Sequence, residues 1–398
     1  MTQTLLTPTA VTREALRVLH QKLNFITNIN TQYDDSYAKS GAKIGDSLKI
    51  RLPNQFTVRT GANISTQDVE ESSVTLQVST QKGVDVTFSS AELTLSMDDF
   101  SKRILDPAMS VLAANIEADA MSMFKDVYNA VDNIGAAITF QKLMLARKKL
   151  IDNLTPPDNN KSICLNTQDN VDLVDALKGL FQDSANISEQ YKEGKLGRTA
   201  GFTFYENTLI PTHTTGTALA ATTYTINGAV TTNGSAAATV AVGATTFKAG
   251  DIFTVAGCNR VHPETKADTG ELQQFVITAD YAGGAGDIAF SPAIYTSGAK
   301  QNVVAAGMAN GAAITKVGGA SAVYKPSIAF HKDAFAFATA DLVMPGGVDF
   351  AARENFDGLS LRIVRQYDIS TDKYPCRIDI LYGKKTIRAQ LASRILSN

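Results

Sequence analysis

Apolar positions along the chain follow two rhythms. Within residues 12–30, Leu16, Leu19, Leu23 and Ile26 recur at helical spacing, which predicts an amphipathic helix with one narrow apolar stripe. Arg13, Arg17, His20, Gln21 and Asn24 fall on its other face. So narrow a stripe suits a terminal helix docked on another molecule, or equally one laid on its own domain. Further on, Leu48, Ile50 and Leu52 alternate with Ser47, Lys49 and Arg51, and Val74, Leu76 and Val78 repeat the alternation. A period of two predicts strands. The polar stretch 53–73 between them makes 46–79 an extended hairpin loop. With about 15 residues per arm it reaches on the order of 50 Å when fully extended. Such a ribbon is marginal alone, so it must lie on something, and a neighbouring subunit is the economical candidate.

The strongest helical signal covers 98–132. Ser96 and Asp99 resemble a capping box, and from Phe100 every fourth residue is apolar: Ile104, Ala108, Leu112, Ile116, Ala120, Phe124, Tyr128. A rod of roughly 50 Å follows, with Pro107 kinking it or dividing off a short first piece. Residues 133–211 have α+β texture. From Asn207 to Phe247 there is no Lys, Arg, Asp or Glu, and Thr, Ala and Gly dominate. With "GDIFTVAGC", "LQQFVITAD" and "GDIAFSPAI" beyond it, 212–322 reads as a small all-β domain inserted into an α+β host. Disorder of its Thr/Ala/Gly part is the competing reading. After 322 the α+β texture returns, and "RIDILYGKKTIR" reads as a buried strand that stops at Gly383 and turns basic.

At 398 residues the chain is long enough for two or three domains. A formal net charge of −2 is unlike the basic excess of proteins that grip nucleic acid through its phosphates. Contact with DNA is therefore expected to be weak and non-specific. The three cysteines, Cys164, Cys258 and Cys376, are dispersed, which argues against a disulfide framework. No signal peptide and no membrane span are expected.

Candidate chemistry is sparse. His262, Glu264, Asp268 and Glu271 cluster in "HPETKADTGE", but Pro and Gly make that a turn more readily than a metal site. "GKLGRT" lacks the pattern of a phosphate-binding loop. The run Arg147-Lys148-Lys149 reads as a solvated helix face, or more rarely as an electrostatic contact. No nucleophile is paired with a base, so no catalytic, metal-binding or cofactor-binding residue is assigned and no cofactor is expected.

The order of parts is nevertheless distinctive: arm helix, long hairpin loop, spine helix, α+β body, all-β insertion, body again, final strands. That order resembles the major capsid proteins of tailed bacteriophages, with the Hong Kong-type (Hong Kong 97-like) fold. In particular it looks like the coat proteins of short-tailed phages that carry an inserted domain. Gln366, Asp368, Ile369 and Ser370, then Cys376-Arg377-Ile378, Leu381-Tyr382-Gly383 and Arg388 match the final strands of those proteins in order and spacing. "FKAGDIFTVAGC" resembles a strand pair of their inserted barrel.

The resemblance implies an α+β capsid fold with an N-terminal arm (1–34) and a peripheral domain (35–132) carrying the extended loop and spine. It further implies an axial domain (133–211 and 323–365), an inserted all-β barrel (212–322), and final strands (366–398) that return to the peripheral and axial domains. The arm would clasp a neighbouring subunit. Arg59, Asp68, Glu70, Glu71, Lys384, Lys385 and Arg388 become candidates for contacts between subunits, and Arg13, Glu14 and Arg17 for docking a scaffolding protein. The implied partners are the chain itself as hexamers and pentamers, a scaffolding protein, a portal protein at one vertex, and packaged double-stranded DNA. The implied location is the virion shell, assembled in the host cytoplasm, with no enzymatic activity. Residues 53–73 contain no lysine, so the covalent crosslinking of some family members is not expected. The alternatives are a bacterial nanocompartment shell of the same fold, or a β-rich carbohydrate-binding tail protein. The scarcity of aromatics in 212–322 speaks against the second.

Overall fold

The computed structural model of the chain describes residues 8–34, 47–59, 61–64, 66–67, 71–89, 105–177, 197–356 and 359–397. The chain is mixed α+β and divides into two compact units. The first takes Met1–Ile50, Ser73–Met121 and Phe335–Ile387; the second takes Arg51–Ser72, Ser122–Ala334 and Arg388–Asn398.

The first unit is organised by one long strand, Lys373–Thr386. Thr80–Ser89 pairs with its residues 373–382, Leu359–Arg365 with 376–379 and Phe335–Ala340 with 381–386, all antiparallel. Because the registers overlap, Thr80–Ser89 must hold one edge while the other two strands share the opposite edge end to end. Asn30–Asp34 adds in parallel outside Phe335–Ala340, and Phe350–Phe356 adds beside Leu359–Arg365. The strand does not stop at Gly383, as its sequence suggests. It runs on to Thr386, and the glycine is there because a Cβ would overlap the Gln77 carbonyl oxygen.

Two helices cover this sheet, α1 (Pro8–Lys22) and α2 (Asp106–Met121). The predicted arm helix ends earlier than its pattern implies and is followed by a 3-10 turn, Ile26–Asn28, and then a strand. Its buried face is also wider than the predicted stripe: Val11, Thr12, Ala15 and Val18 join Leu16 and Leu19. α1 packs on α2 and on strands Phe350–Phe356 and Leu359–Arg365. This helix therefore finds its cover within its own chain, the second of the two placements that its stripe allowed. The turn after it is fixed by Glu117 of α2. That carboxylate is fully buried and accepts the backbone N–H groups of Asn24 (3.0 Å), Phe25 and Ile26 (3.3 Å).

α2 is likewise shorter than the predicted spine. Its expected capping box and first turn lie outside the described residues, and Pro107 sits in its first turn, where a missing N–H costs nothing. Leu112, Ile116, Ala120 and Phe124 are buried as the periodicity predicts. After Met121 the chain tightens into a 3-10 turn, Ser122–Asp126, and Ala130–Asp132 becomes a strand. The pattern failed there because tertiary pairing took over. Asn129 accepts the Arg394 N–H through its carbonyl and donates to the Gln390 and Ala392 carbonyls through its side chain.

The expected return segments also divide differently. Residues 335–365 belong to the first unit, because their strands register on Lys373–Thr386, and only 323–334 stay with the body. Phe335–Ala340, with its helix-like alanines, is a strand buried at every position.

In the second unit, Ala392–Ser397 and Val323–His331 form the centre of a sheet that also contains Ala130–Asp132, Lys161–Leu165, Phe202–Glu206 and Arg198–Thr199. α3 (Phe140–Asp152) covers it, with Thr139 as its N-cap. The cap of α4 (Thr167–Leu177) is relayed. Asn166 accepts the Asp169 N–H (2.7 Å), while its own N–H goes to Ser327 Oγ, which in turn donates to the Asp169 carboxylate. Burial, only partly offset by the hydrogen bond from Ser327, pushes the Asp169 carboxyl up to about 6.

Six antiparallel strands between Ala221 and Lys316 form a second sheet, ordered 221–225, 313–316, 252–261, 268–277, 284–294, 235–243. A bridge from Ile226 to Val240 joins its first and last strands into a ring. Phe253, Phe275 and Phe290 pack inside it at 5.2–6.0 Å. The charge-free stretch is therefore folded, not disordered. The ring is tied to the body by the basic run. Lys148 meets Glu271 and Asp152, Arg260 meets Asp152 at 3.4 Å, and Lys149 donates to Gln274 at 2.8 Å. The electrostatic reading of that run is the one found.

Two expectations follow. Glu117→Ala strands three backbone donors and should lower stability by at least about 3 kcal/mol, read from the denaturant midpoint; an unchanged midpoint would show the clamp to be inert. Asp169 holds its proton more tightly folded (about 6) than unfolded (3.8). Its stabilising contribution is therefore complete below pH 4 and is lost as pH rises through 6, about 3 kcal/mol in all. Asp169→Asn should exceed the parent in stability at pH 7.5, with the gap closing below pH 4; unfolding curves that stay parallel across that range would contradict this.

Candidate assembly interface

The extended loop begins as a two-stranded ribbon, Ser47–Arg51 with Ser73–Gln77. Its alternation works as read: Leu76 and Val78 are buried, and Leu48 and Ile50 pack partly covered against Ala336, Ala338, Ala340 and Leu381. One further bond, Leu52 N–H to Ser72 O at 2.8 Å, extends the pairing. Beyond it the chain displays apolar side chains to solvent, Val58 at 95% exposure, Ile64 at 84% and Phe56 at 59%. Covering all three would contribute about 5 kcal/mol. Sequence reasoning treated this stretch as a polar tip and missed them. The available signal was three isolated apolar residues outside any period.

The charged candidates fare unevenly. Arg59 turns back on its own loop, donating to the carbonyls of Gly61 and Asn63 (3.0 Å to the latter). Asp68 and Glu70 lie outside the described residues. Glu71 meets Arg51 at 3.4 Å with both side chains largely exposed, a pair worth about 0–1 kcal/mol. Lys384 is engaged within the chain: it bonds the Asp119 carboxylate at 2.6 Å, and the Tyr382 hydroxyl donates to the same carboxylate at 2.8 Å. Burial would raise the Asp119 carboxyl, but those two hydrogen bonds outweigh it and hold it below the ordinary range. Lys385 is exposed and Arg388 half-buried. On α1, Arg13 and Arg17 face solvent, and Arg17 pairs with Glu14 at 2.6 Å.

The chemistry that the sequence left open is otherwise used. His262 Nδ1 accepts the N–H groups of Glu264 and Thr265, Asp268 accepts from Gly270 and Asn259, and Glu271 meets Lys148. Among the described residues no three His, Cys, Asp or Glu side chains converge to hold a metal ion, and no helix is long and apolar enough to cross a membrane. The three cysteines are buried and none forms a disulfide, and burial raises the Cys376 thiol to about 11.

The family described as P22 coat protein, gene protein 5, matches residues 32–393. This bears out the resemblance read from the order of segments. No curated protein matches the chain. Among solved structures it is similar to a chain from Mycobacterium phage Che8 (11% identity, TM-score 0.45, covering 95% of this chain and 90% of that one). It is similar also to the mature capsid of bacteriophage PhiM1 (9%, 0.46, 94% and 87%) and to a virus-like particle from Pyrococcus furiosus (6%, 0.41, 97% and 97%).

The two neighbouring lysines should separate cleanly. Lys384→Ala leaves Asp119 short of a donor and should cost about 1–2 kcal/mol, whereas Lys385→Ala should stay within about 0.5 kcal/mol of the parent. Thermal melts of the two variants test this, and equal effects would refute it.

Proposed function

From the premise that the chain belongs to the P22 coat protein family, and is thus the major capsid protein of a tailed phage, we propose that it self-assembles as hexamers and pentamers of a closed icosahedral shell around packaged double-stranded DNA. The observation that carries this reading is the exposed loop. Val58, Ile64 and Phe56 find no cover among the described residues of their own chain, and a neighbouring copy supplies it. Exposed charge pairs such as Arg51–Glu71 add little to that contact, so shell strength comes chiefly from apolar burial across large interfaces.

The role is structural, without catalysis. The absence of lysine from residues 53–73 leaves the loop no amine for a covalent link, so the shell holds by non-covalent contacts. A net charge of −2 suits a container whose DNA must enter and leave. A scaffolding protein docks on the solvent face of α1 around Arg13 and Arg17, and a portal protein takes one vertex. Lys385 and Arg388 stay candidates for contacts between subunits, whereas Lys384 serves the fold. The first unit corresponds to the peripheral part of the subunit. The body of the second corresponds to the axial part, and the ring of strands 221–316 to the inserted domain, braced by Lys148, Lys149 and Arg260.

Electron microscopy of the purified chain, with and without a scaffolding protein, should show closed particles whose capsomers have five and six subunits. A monomer at every concentration, with Val58 and Ile64 protected from solvent, would overturn the proposal.

A further inference from the structure

The loop that carries the exposed apolar side chains is shaped by its own hydrogen bonds. Gln67 makes three bonds to one residue ten positions away: its Oε1 accepts the Thr57 N–H (2.8 Å) and the Thr57 hydroxyl (2.9 Å), and its Nε2 donates to the Thr57 carbonyl (2.6 Å). The carboxamide thus takes the place of an opposing strand residue, which would exchange the same N–H and C=O bonds with Thr57. A side chain does here what the backbone ladder does at the base of the ribbon. Between these two points Arg59 gathers the carbonyls of Gly61 and Asn63. Its guanidinium is thereby turned onto the loop itself, and Val58 and Ile64 are left as the outward groups.

These bonds are made in solvent, with every participating group exposed. They bury nothing and contribute little to the stability of the chain. What they do is restrict the loop to one shape before any partner arrives. Ordering a flexible loop on binding subtracts from affinity, and a loop already ordered avoids that loss.

We propose that Gln67 and Arg59 are positioning residues for self-association: they hold residues 56–64 as a preformed knob whose apolar side chains seat on a second copy of this chain. The occupant is a second copy because the chain is a coat protein and the knob presents Val58, Ile64 and Phe56 with its one described cation turned inward. This rests on the reading of the loop as an intersubunit contact, and it adds that the affinity of the contact is set by residues that need not touch the partner.

The test measures the threshold concentration for closed particles by light scattering and microscopy, for the full chain and for Gln67→Ala, Arg59→Ala and Val58→Asp. Thermal melts and hydrogen exchange at the Thr57 amide accompany each. Gln67→Ala should raise the threshold about tenfold or more, corresponding to at least about 1.4 kcal/mol per contact, with faster Thr57 exchange and an unchanged melting temperature. Arg59→Ala should act in the same direction. Gln67→Glu keeps the two acceptor bonds and loses the donated one, so it should fall between the parent and Gln67→Ala. If Val58→Asp blocks assembly while Gln67→Ala and Arg59→Ala assemble at the parental threshold, preorganisation is overturned and the loop contact stands. If Val58→Asp also assembles as the parent does, the loop makes no such contact and both readings fall.

Discussion

The first unit depends on one strand having neighbours along both edges. Lys373–Thr386 can receive Thr80–Ser89 on one side and two shorter strands on the other only if its register is unambiguous, because a slip of one residue reverses every side chain. Three polar details pin it. Asp379, buried, takes Arg362 at 2.7 Å and Arg377 at 2.8 Å. Opposite it stands Gly83, where a Cβ would come within 2.5 Å of both the Asp379 carboxylate and the Ile378 carbonyl. Three and five residues on, Tyr382 and Lys384 converge on Asp119 of α2. Each pin meets a different element, so strand, sheet and helix share one alignment.

The same device recurs at a helix-to-turn junction and between strands. Glu117 holds the turn after α1, and Asp341 takes Ser360 at 2.6 Å and Arg353 at 3.1 Å. A buried charge adds little net stability even when paired, since desolvation offsets much of the attraction. Its effect is on alternatives: a shifted register would strand a carboxylate without its donors, at several kcal/mol. Apolar burial makes the unit compact, and the buried carboxylates select which compact arrangement is adopted.

This division explains what was legible in the sequence. Periodicity reports apolar burial, so the ribbon 47–51 with 73–77 and the buried stripe of α2 could be read directly. Pairing partners leave no periodic trace. The end of α2 at Met121 depends on Asn129 bonding a strand more than 260 residues away, and the strand state of Phe335–Ala340 depends on neighbours at 30–34 and 381–386. Lys148 and Lys149 looked like a solvated face because Glu271 and Gln274 are remote in sequence. In the loop, Phe56, Val58 and Ile64 are exposed, and no described element of their own chain receives them. The match with the family, by contrast, was accessible because the order of segments survives errors at their boundaries.

The contrast between α1 and the loop bears on how a subunit of this kind joins others. The loop was expected to need a neighbour and α1 either a neighbour or its own domain; α1 packs within its own unit with Glu117 fixing the turn after it, whereas the loop holds Val58, Ile64 and Phe56 exposed. A contact of three side chains is modest, on the order of a few kcal/mol after ordering costs. In a closed assembly that modesty is an advantage. Each subunit takes part in several contacts at once, and linked contacts reinforce one another far beyond a single affinity. A weak individual contact lets a misplaced subunit leave, whereas the closed set holds. A loop shaped in advance fits this regime, because it lowers the cost of each contact without making any single one irreversible.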